Sequence, residues 1–303
     1  MKVHRHSRKR RSKSWQACKN YFDGLIWGAN HRAPLFFGVA GDAMRIALGL
    51  EYDGSPYCGW QSQASGCGVQ DHVETALGKF VGGKTACTCA GRTDAGVHAL
   101  AQVIHIDTAV ERDAQSWVRG GNSHLPAGIR LLWAKNVPDE FHSRFSARSR
   151  TYRYLLLNDA VASGTMANRL GWFHAPLDLA AMQSAAVALL GEHDFSAFRS
   201  SECQAKTPIK TLYEANIVSR GKLLEFRFRA NAFLHHMVRN LVGELVYVGS
   251  GRHGLTEFAE IVAGKDRTRA APTFSAAGLY LADIEYDDSF GLPAVAPRHP
   301  FFS

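Results

Sequence analysis

The chain has 303 residues, of which 46% are hydrophobic and 20% are charged. These values are typical of a globular protein with a sizeable core, and they exclude a largely disordered chain. The sequence contains no uninterrupted apolar run near the ~20 residues that a membrane-spanning helix needs, so no membrane partner is expected.

The net charge of +8 is distributed unevenly along the chain. Residues 1–43 contain nine Lys or Arg and two acidic residues, which leaves a net charge of +1 for the other 260 residues. We interpret residues 1–43 as a basic leader: a disordered arm that touches RNA, an organelle-targeting segment, or the result of a start codon assigned upstream of Met44. A nucleic-acid site in the rest of the chain must therefore rest on local clusters of charge.

The six cysteines are scattered, and no two have Cys-x-x-Cys spacing. In a chain of this size without a recognisable secretory signal, this pattern predicts a reducing compartment and a cytoplasmic location. The adjacent His235 and His236 fall on a predicted helix, where neighbouring side chains point about 100° apart. Such a pair is poorly placed to bind one metal ion, so no metal site is predicted.

The spacing of apolar residues predicts alternating strands and helices. In the first half we expect a strand at 45–52, a helix at 69–81, strands at 85–90 and 102–107, a helix at 113–120 and a strand at 129–137. In the second half we expect a strand at 151–158, a helix from Asp178 to about Leu190, a hairpin of 211–219 and 222–229, a long helix capped by Asn231 and ending at Val248, a helix at 255–264 and a strand at 278–286.

Helices mixed with hairpins predict an α+β fold with mainly antiparallel sheets. The order of elements suggests two α/β halves that each resemble an RNA-recognition fold. We expect the N-terminal half at residues 44–145 and the C-terminal half at 146–303.

The stretch AGRTDAGVH, residues 90–98, carries a carboxylate on a glycine-hinged loop. Asp94 lies between Gly91 and Gly96, and Arg92 precedes it by two residues. These residue types are common in ordinary tight turns, which is one interpretation. The other is a catalytic aspartate held at the end of a strand.

The stretch FHSRFSARSRTYRY, residues 141–154, interleaves arginines with aromatic residues. Arginine forks pair with phosphate, and aromatic rings offer bases a surface for stacking. This pattern indicates either an RNA-binding segment or a solvated basic linker followed by an ordinary strand.

The predicted long helix places His235 and Arg239 one turn apart. Arg239 is either an ordinary surface residue or a cation directed at a carboxylate. In the second case it would favour the charged form of that carboxylate, as a nucleophilic aspartate requires.

Five motifs in order resemble the TruA-type tRNA pseudouridine synthases. They are LEYDGSPYCGWQSQ at 50–63, AGRTDAGVHA at 90–99, RTYRY at 150–154, ANAFLHHMVRN at 230–240 and AAPTFSAAGLYL at 270–281. The resemblance extends from about Met44 into the C-terminal region. It implies a pseudouridine synthase fold and the isomerisation of uridine to pseudouridine at positions 38 to 40 of the tRNA anticodon stem-loop. No cofactor or metal is implied, because the reaction involves no redox change.

The resemblance also implies roles for particular residues. The nucleophile of the family corresponds to Asp94, its stacking tyrosine to Tyr152 and the arginine that partners the aspartate to Arg239. Leu279 corresponds to a residue that walls the base pocket.

The base must leave its stack before it reacts. In the family, an arginine takes the place of the flipped base in the stack, and this arginine corresponds to Arg92. A second RNA-binding arginine of the family corresponds to Arg112. Regions that contact tRNA correspond to Phe141, His142, Ser143, Arg144 and Phe145, and to Glu202, Cys203, Gln204, Ala205 and Lys206. The family implies a homodimer in which one tRNA touches both subunits.

Two alternatives stay open. A tRNA-binding protein of this fold without catalysis is one, although Asp94, Tyr152 and Arg239 are all present. An aspartic hydrolase is the other, and it would need a second carboxylate, for which Asp53 is the nearby candidate. The sequence does not settle whether Asp94 attacks the base or the sugar.

Overall fold

The computed structural model describes residues 43–294, so the predictions for residues 1–42 and 295–303 lie outside the described residues. Within that range the chain forms ten strands and five α-helices. The strands are β1 (Met44–Tyr52), β2 (Thr88–Cys89), β3 (His98–Thr108), β4 (Ile129–Val137), β5 (Ser149–Asn158), β6 (Gly171–Phe173), β7 (Gly191–Asp194), β8 (Ile209–Arg220), β9 (Leu223–Ala230) and β10 (Leu279–Glu285). The helices are α1 (Val69–Val81), α2 (Ala114–His124), α3 (Leu179–Val187), α4 (Met237–Gly249) and α5 (Leu255–Gly264).

All ten strands of the described range belong to one sheet, in the order β4-β1-β3-β10-β5-β9-β8-β7, with β2 added to β3 and β6 added to β5. Its neighbouring strands are antiparallel except for the pairs β3–β10 and β5–β6. The mixed, mainly antiparallel α+β architecture predicted from the sequence is confirmed. The boundary between the halves at 145/146 stays a prediction.

The last strand joins the two halves. β10 pairs with β5 on one side and runs parallel to β3 on the other, where Tyr280 faces His98 and Leu281 faces Ala99. β3 begins where the loop carrying Asp94 ends. The sheet therefore brings this loop beside strands from the second half of the chain.

The periodic apolar residues lie in the core as predicted. Val73 and Leu77 of α1 are buried, and so are Phe226 and Phe228, which alternate with polar residues along β9. Asp178 caps α3, because its side chain accepts a hydrogen bond from Ala181 N at 3.0 Å.

Two predicted elements differ from the structure, and two short strands were not predicted. The long helix begins at Met237, not after Asn231, because Asn231 Oδ1 instead accepts hydrogen bonds from the backbone N–H groups of Thr211 and Ala232. The strand expected at 85–90 is only the two residues of β2. β6 has three residues and β7 has four, too few to show an apolar period, so no sequence pattern predicted them.

The cysteines also differ from expectation. Cys58 and Cys67 are joined by a disulfide with a Cα–Cα distance of 5.5 Å, whereas the pattern predicted reduced thiols. Cys87, Cys89 and Cys203 are free. Among residues 43–294, no helix combines the length and the apolar character required to span a bilayer.

Candidate active site

The loop between β2 and β3, residues 90–97, presents Asp94. At one end, Ala90 N donates to Val103 O at 2.8 Å. At the other end, Val97 N donates to Asp94 O at 3.1 Å, in a turn where Gly96 adopts a φ of 77°. A positive φ is easily accessible only to glycine, so Gly96 sets this turn. The loop holds the Asp94 side chain partly buried, with 19% of its surface exposed.

A second segment supports the same loop from behind. Trp60 N donates to Thr93 O at 2.9 Å, and the Thr93 hydroxyl shares a 2.8 Å hydrogen bond with the Tyr52 hydroxyl. Gly59 has a φ of 96°, and a Cβ there would lie 2.8 Å from Thr93 O and 3.1 Å from Ala95 N. The position of Asp94 therefore depends on a glycine about thirty-five residues earlier. Sequence analysis missed Gly59, for which the only signal was a glycine within the motif at 50–63.

Arg239, in the first turn of α4, contacts Asp94 directly. Its Nη1 donates to Asp94 Oδ2 at 2.9 Å, and its Nε donates to Phe274 O at 2.9 Å. Phe274 N donates back to Arg239 O at 3.2 Å. The structure thus brings together the two residues that the family resemblance paired. A charge-assisted hydrogen bond between two partly buried side chains is among the stronger polar contacts, and the amino end of a helix also favours a negative charge.

The two histidines before α4 also face the carboxylate. Their Nε2 atoms lie 3.3 Å from Asp94 Oδ1 for His235 and 3.4 Å from Asp94 Oδ2 for His236. Burial lowers the pKa of His236, against the opposing effect of the Asp94 charge. The expectation that these side chains diverge on a helix is wrong, because both residues precede α4 and their rings lie 4.0 Å apart. One ligand atom from each histidine and from Asp94 lie within 4.8 Å of one another, so the geometric argument against a shared metal ion fails.

Tyr152 on β5 borders the start of the loop. A Cβ on Gly91 would lie 3.8 Å from the Tyr152 hydroxyl, and Phe233 meets the Tyr152 ring edge-on at 5.0 Å. Burial above all, together with the Asp94 charge, raises the pKa of Tyr152, so its hydroxyl stays protonated. Leu279 opens β10 opposite Tyr154, with its side chain buried. Tyr152 and Leu279 therefore lie on the adjacent central strands β5 and β10.

Two predicted RNA-binding arginines are exposed. Arg92 lies on the same loop as Asp94, two residues before it. Arg112 lies between β3 and α2, where its Nη1 donates to Glu111 O at 3.0 Å. Their exposure leaves both guanidinium groups accessible to a large ligand.

The segment 141–145 divides into exposed and buried residues. Phe145 is 75% exposed, and its ring lies 4.3 Å from that of His142 and 5.5 Å from the Arg144 guanidinium carbon. Phe141 and Ser143, which belong to the predicted RNA-contacting segment, are fully buried, so their side chains are not exposed to a ligand. Ser143 Oγ instead donates to Thr88 O at 2.7 Å, which ties the exposed residues to β2.

The segment 202–206 lies beside the histidines. Cys203 Sγ accepts from His235 N at 3.4 Å, and Arg199 Nη2 donates to the carbonyls of Cys203 and Ala205. Cys203 and Ala205 are partly buried, so they are placed mainly to shape this loop. The exposed members are Glu202, Gln204 and Lys206.

Asp53 is held in a different set of contacts. Its carboxylate accepts from Ser55 and from Arg169 Nη2 at 2.7 Å, and it lies 3.2 Å from His98 Nδ1. In an aspartic hydrolase, two carboxylates share a proton or a water molecule. Among the described residues, Asp53 and Asp94 share no partner, because Asp53 contacts Ser55, Arg169 and His98 while Asp94 contacts Arg239, His235 and His236. The geometry does not favour a hydrolase.

A family model described as tRNA pseudouridine synthase matches residues 50–146 and 185–287, more than half of the chain. The chain belongs to the tRNA pseudouridine synthase family. The matched segments contain both Asp94 and Arg239, while Tyr152 lies between them. Membership makes the chain an isomerase of the class that acts on tRNA.

Curated relatives within this family are closely similar. The tRNA pseudouridine synthase A of Paraburkholderia xenovorans is 57% identical over 250 residues, which cover 82% of this chain and 93% of that protein. The enzyme of the same name from Thiobacillus denitrificans is 56% identical over 258 residues, covering 85% of this chain and 99% of the relative. A solved H/ACA ribonucleoprotein bound to a substrate RNA aligns with 11% identity and a TM-score of 0.34, too distant to support an argument.

The support that Gly59 gives to the catalytic loop can be tested by Gly59→Ala. The added Cβ would displace the backbone around Asp94, and misplacement of a reacting group by about 1 Å can cost ~100-fold in rate. We expect a loss of about that size in the single-turnover rate of pseudouridine formation at saturating RNA.

Gly66→Ala is the matched control for this substitution. Gly66 lies in the same segment and also has a positive φ of 70°, but a Cβ there meets nothing within 4 Å. Gly66→Ala therefore introduces strain at a positive φ but no contact with a neighbouring backbone atom, so the single-turnover rate of this variant should stay near that of the wild type. Equal losses in the two variants would show that strain, not contact with the catalytic loop, controls the rate.

Proposed function

We propose that this chain converts uridine to pseudouridine at positions 38 to 40 of the tRNA anticodon stem-loop, with Asp94 as the nucleophile. The contact between Asp94 Oδ2 and Arg239 Nη1 at 2.9 Å is the observation that supports this most directly. In the reaction, the bond from the ribose to uracil N1 breaks, the base turns, and a bond from the ribose to C5 forms. C5 loses its hydrogen as a proton to solvent, N1 takes up a proton, and the oxidation state of the nucleoside does not change.

The environment of Asp94 suits a nucleophile. A carboxylate away from bulk water tends to hold its proton, and a nearby guanidinium opposes this by favouring the charged form. A guanidinium carries a permanent positive charge, and that of Arg239 lies 2.9 Å from Asp94 Oδ2. Its second bond, to Phe274 O, fixes the direction from which that charge approaches. An ionised, positioned carboxylate can then attack the nucleoside.

The proposed base pocket is formed by the neighbouring central strands. We assign Tyr152 to stack on the flipped uracil, because its ring borders the start of the catalytic loop. Its protonated hydroxyl adds a donor without adding charge. Leu279 supplies an apolar wall. Neither residue needs to exchange protons with the base in this arrangement.

When the target base leaves the RNA stack, another group must take its position and restore the stacking and charge interactions there. Extrusion costs a few kcal/mol. Arg92, exposed beside Asp94, is placed to enter the vacated position with a flat cationic group. Arg112, the patch of His142, Arg144 and Phe145, and the exposed residues of 202–206 would bind the surrounding RNA.

The remaining partners are part of the same proposal. We propose a homodimer without a cofactor, acting on tRNA in the cytoplasm. Exposed apolar side chains on Val187, Leu190 and Ile209 support a protein contact near α3 and β8. Light scattering should then give a mass near twice the 33.3 kDa of one chain, and a monomer mass would contradict the dimer. Cell fractionation tests the location.

The Asp94→Asn variant tests the enzymatic role. The substrate is an unmodified anticodon stem-loop tritiated at uracil C5, from which pseudouridine formation releases tritium into water. We expect the full-length wild type to release tritium and Asp94→Asn to release none, because the amide keeps the size but loses the nucleophile. Binding of the stem-loop, measured by filter retention, should survive in the variant.

Asp139→Asn provides the control, since it makes the same chemical change at an exposed aspartate outside the proposed site. It should release tritium at the wild-type rate. Tritium release by Asp94→Asn would remove Asp94 from the mechanism. RNA binding without release from the wild type would favour a binding protein that has lost catalysis.

The Arg92→Ala variant tests base flipping. We expect its saturating single-turnover rate to fall by about tenfold or more, because extrusion costs a few kcal/mol and each 1.4 kcal/mol is a factor of ten. Its affinity for the stem-loop should change much less. Arg112→Ala is the comparison, since a phosphate contact should affect affinity and its salt dependence but not the saturating rate. Equal losses of affinity and rate in Arg92→Ala would contradict a flipping role.

A further inference from the structure

The backbone of His236 is unusual for its place in the fold. It has a φ of 63° and a ψ of 0°, in the left-handed region that residues with a Cβ rarely adopt. In the described range, Lys265 is the other residue besides glycine with a positive φ, and it ends α5, where this conformation is common.

His236 instead precedes a helix. The residues that cap the other four described helices, Gly68, Asp113, Asp178 and Gly254, all have the extended backbone usual at this position. A left-handed residue at a helix start therefore needs a separate reason. Backbone strain of this kind is found most often at functional sites.

Hydrogen bonds on both sides hold this turn. His235 N donates to Cys203 Sγ, and His235 O accepts from Ser200 N at 3.1 Å. His236 O accepts from Asn240 N at 2.9 Å within the first turn of α4. The main chain around His236 is thus fixed from the 200–203 segment and from the helix.

The consequence of this turn is the position of the imidazole. His236 Nε2 lies 3.4 Å from Asp94 Oδ2, the oxygen that Arg239 also contacts. The His235 ring lies against that of His236 at a tilt of 37°, and its Nε2 lies 3.3 Å from Asp94 Oδ1. Rotation of a carboxylate about its last bond is soft, and a single contact to one oxygen leaves it free. Contacts on both oxygens restrict the plane of the group.

We propose that His236 is a positioning residue that, with the adjacent ring of His235, fixes the carboxylate plane of Asp94 before RNA binds. The proposal rests on Asp94 being the nucleophile. His236 acts through Asp94, not on the substrate, so its loss should slow the chemical step and leave RNA binding intact. The left-handed backbone serves to aim the ring.

Two substitutions separate the backbone of His236 from its side chain. His236→Gly keeps the left-handed backbone, relieves its strain and removes the ring. His236→Gln keeps a nitrogen donor at about the reach of Nε2. We expect His236→Gly to lower kcat by about 10-fold to 100-fold, the range for a displaced catalytic group. KM and the dissociation constant for the stem-loop should stay within about twofold, and the melting temperature should not fall. We expect His236→Gln to recover most of kcat.

Lys265→Gly is the matched control, because it relieves a left-handed residue outside the proposed site and should not change kcat. A wild-type kcat in His236→Gly would overturn the proposal. So would a loss of kcat that is matched by losses of affinity and melting temperature, or that His236→Gln fails to recover.

Asp94→Asn in the same assay separates the proposed nucleophile role of Asp94 from the proposed positioning role of His236. Full activity in Asp94→Asn would contradict the nucleophile itself, and the positioning role with it. An inactive Asp94→Asn with an unimpaired His236→Gly would contradict only the positioning role.

Discussion

The ion pair between Asp94 and Arg239 is the contact on which the site depends. It joins a loop from the first half of the chain to a helix from the second half across 145 positions of sequence. The Arg239 guanidinium lies 2.9 Å from Asp94 Oδ2 and directs that oxygen toward α4. The other groups at the site hold these two residues in position. Gly59 packs against the loop that carries Asp94, the Phe274 carbonyl accepts a hydrogen bond from Arg239, and the two histidines contact the carboxylate.

The sheet makes this meeting possible. β3 follows the loop that carries Asp94, and β5 carries Tyr152. β10 lies between these two strands and pairs with both of them. Regular backbone pairing fixes these strands more rigidly than loops could, and a catalytic site on rigid elements keeps its geometry. The residues proposed to contact RNA lie on loops around this centre, where exposure matters more than exact placement.

Local patterns in the sequence predicted the helices and most strands, and the family resemblance paired Asp94 with Arg239. Short edge strands such as β7 carry too few residues to show a period. The Asn231 cap failed because its side chain found a partner on β8 instead, which is a long-range contact that no local pattern reveals. The side chains of His235 and His236 converge for the same kind of reason. A left-handed turn changes the direction of both, whereas sequence analysis assumed helical geometry throughout.

The most direct measurement of the central claim is the single-turnover rate of pseudouridine formation by Arg239→Gln, at RNA concentrations that saturate the enzyme. Hydrogen bonds to charged groups are worth about 1.5–3 kcal/mol, so the rate should fall by roughly 10-fold to 100-fold or more. Arg239→Lys keeps the charge but loses the fork that joins Asp94 to Phe274, and it should recover only part of the rate. A wild-type rate in Arg239→Gln would show that Asp94 does not depend on this ion pair.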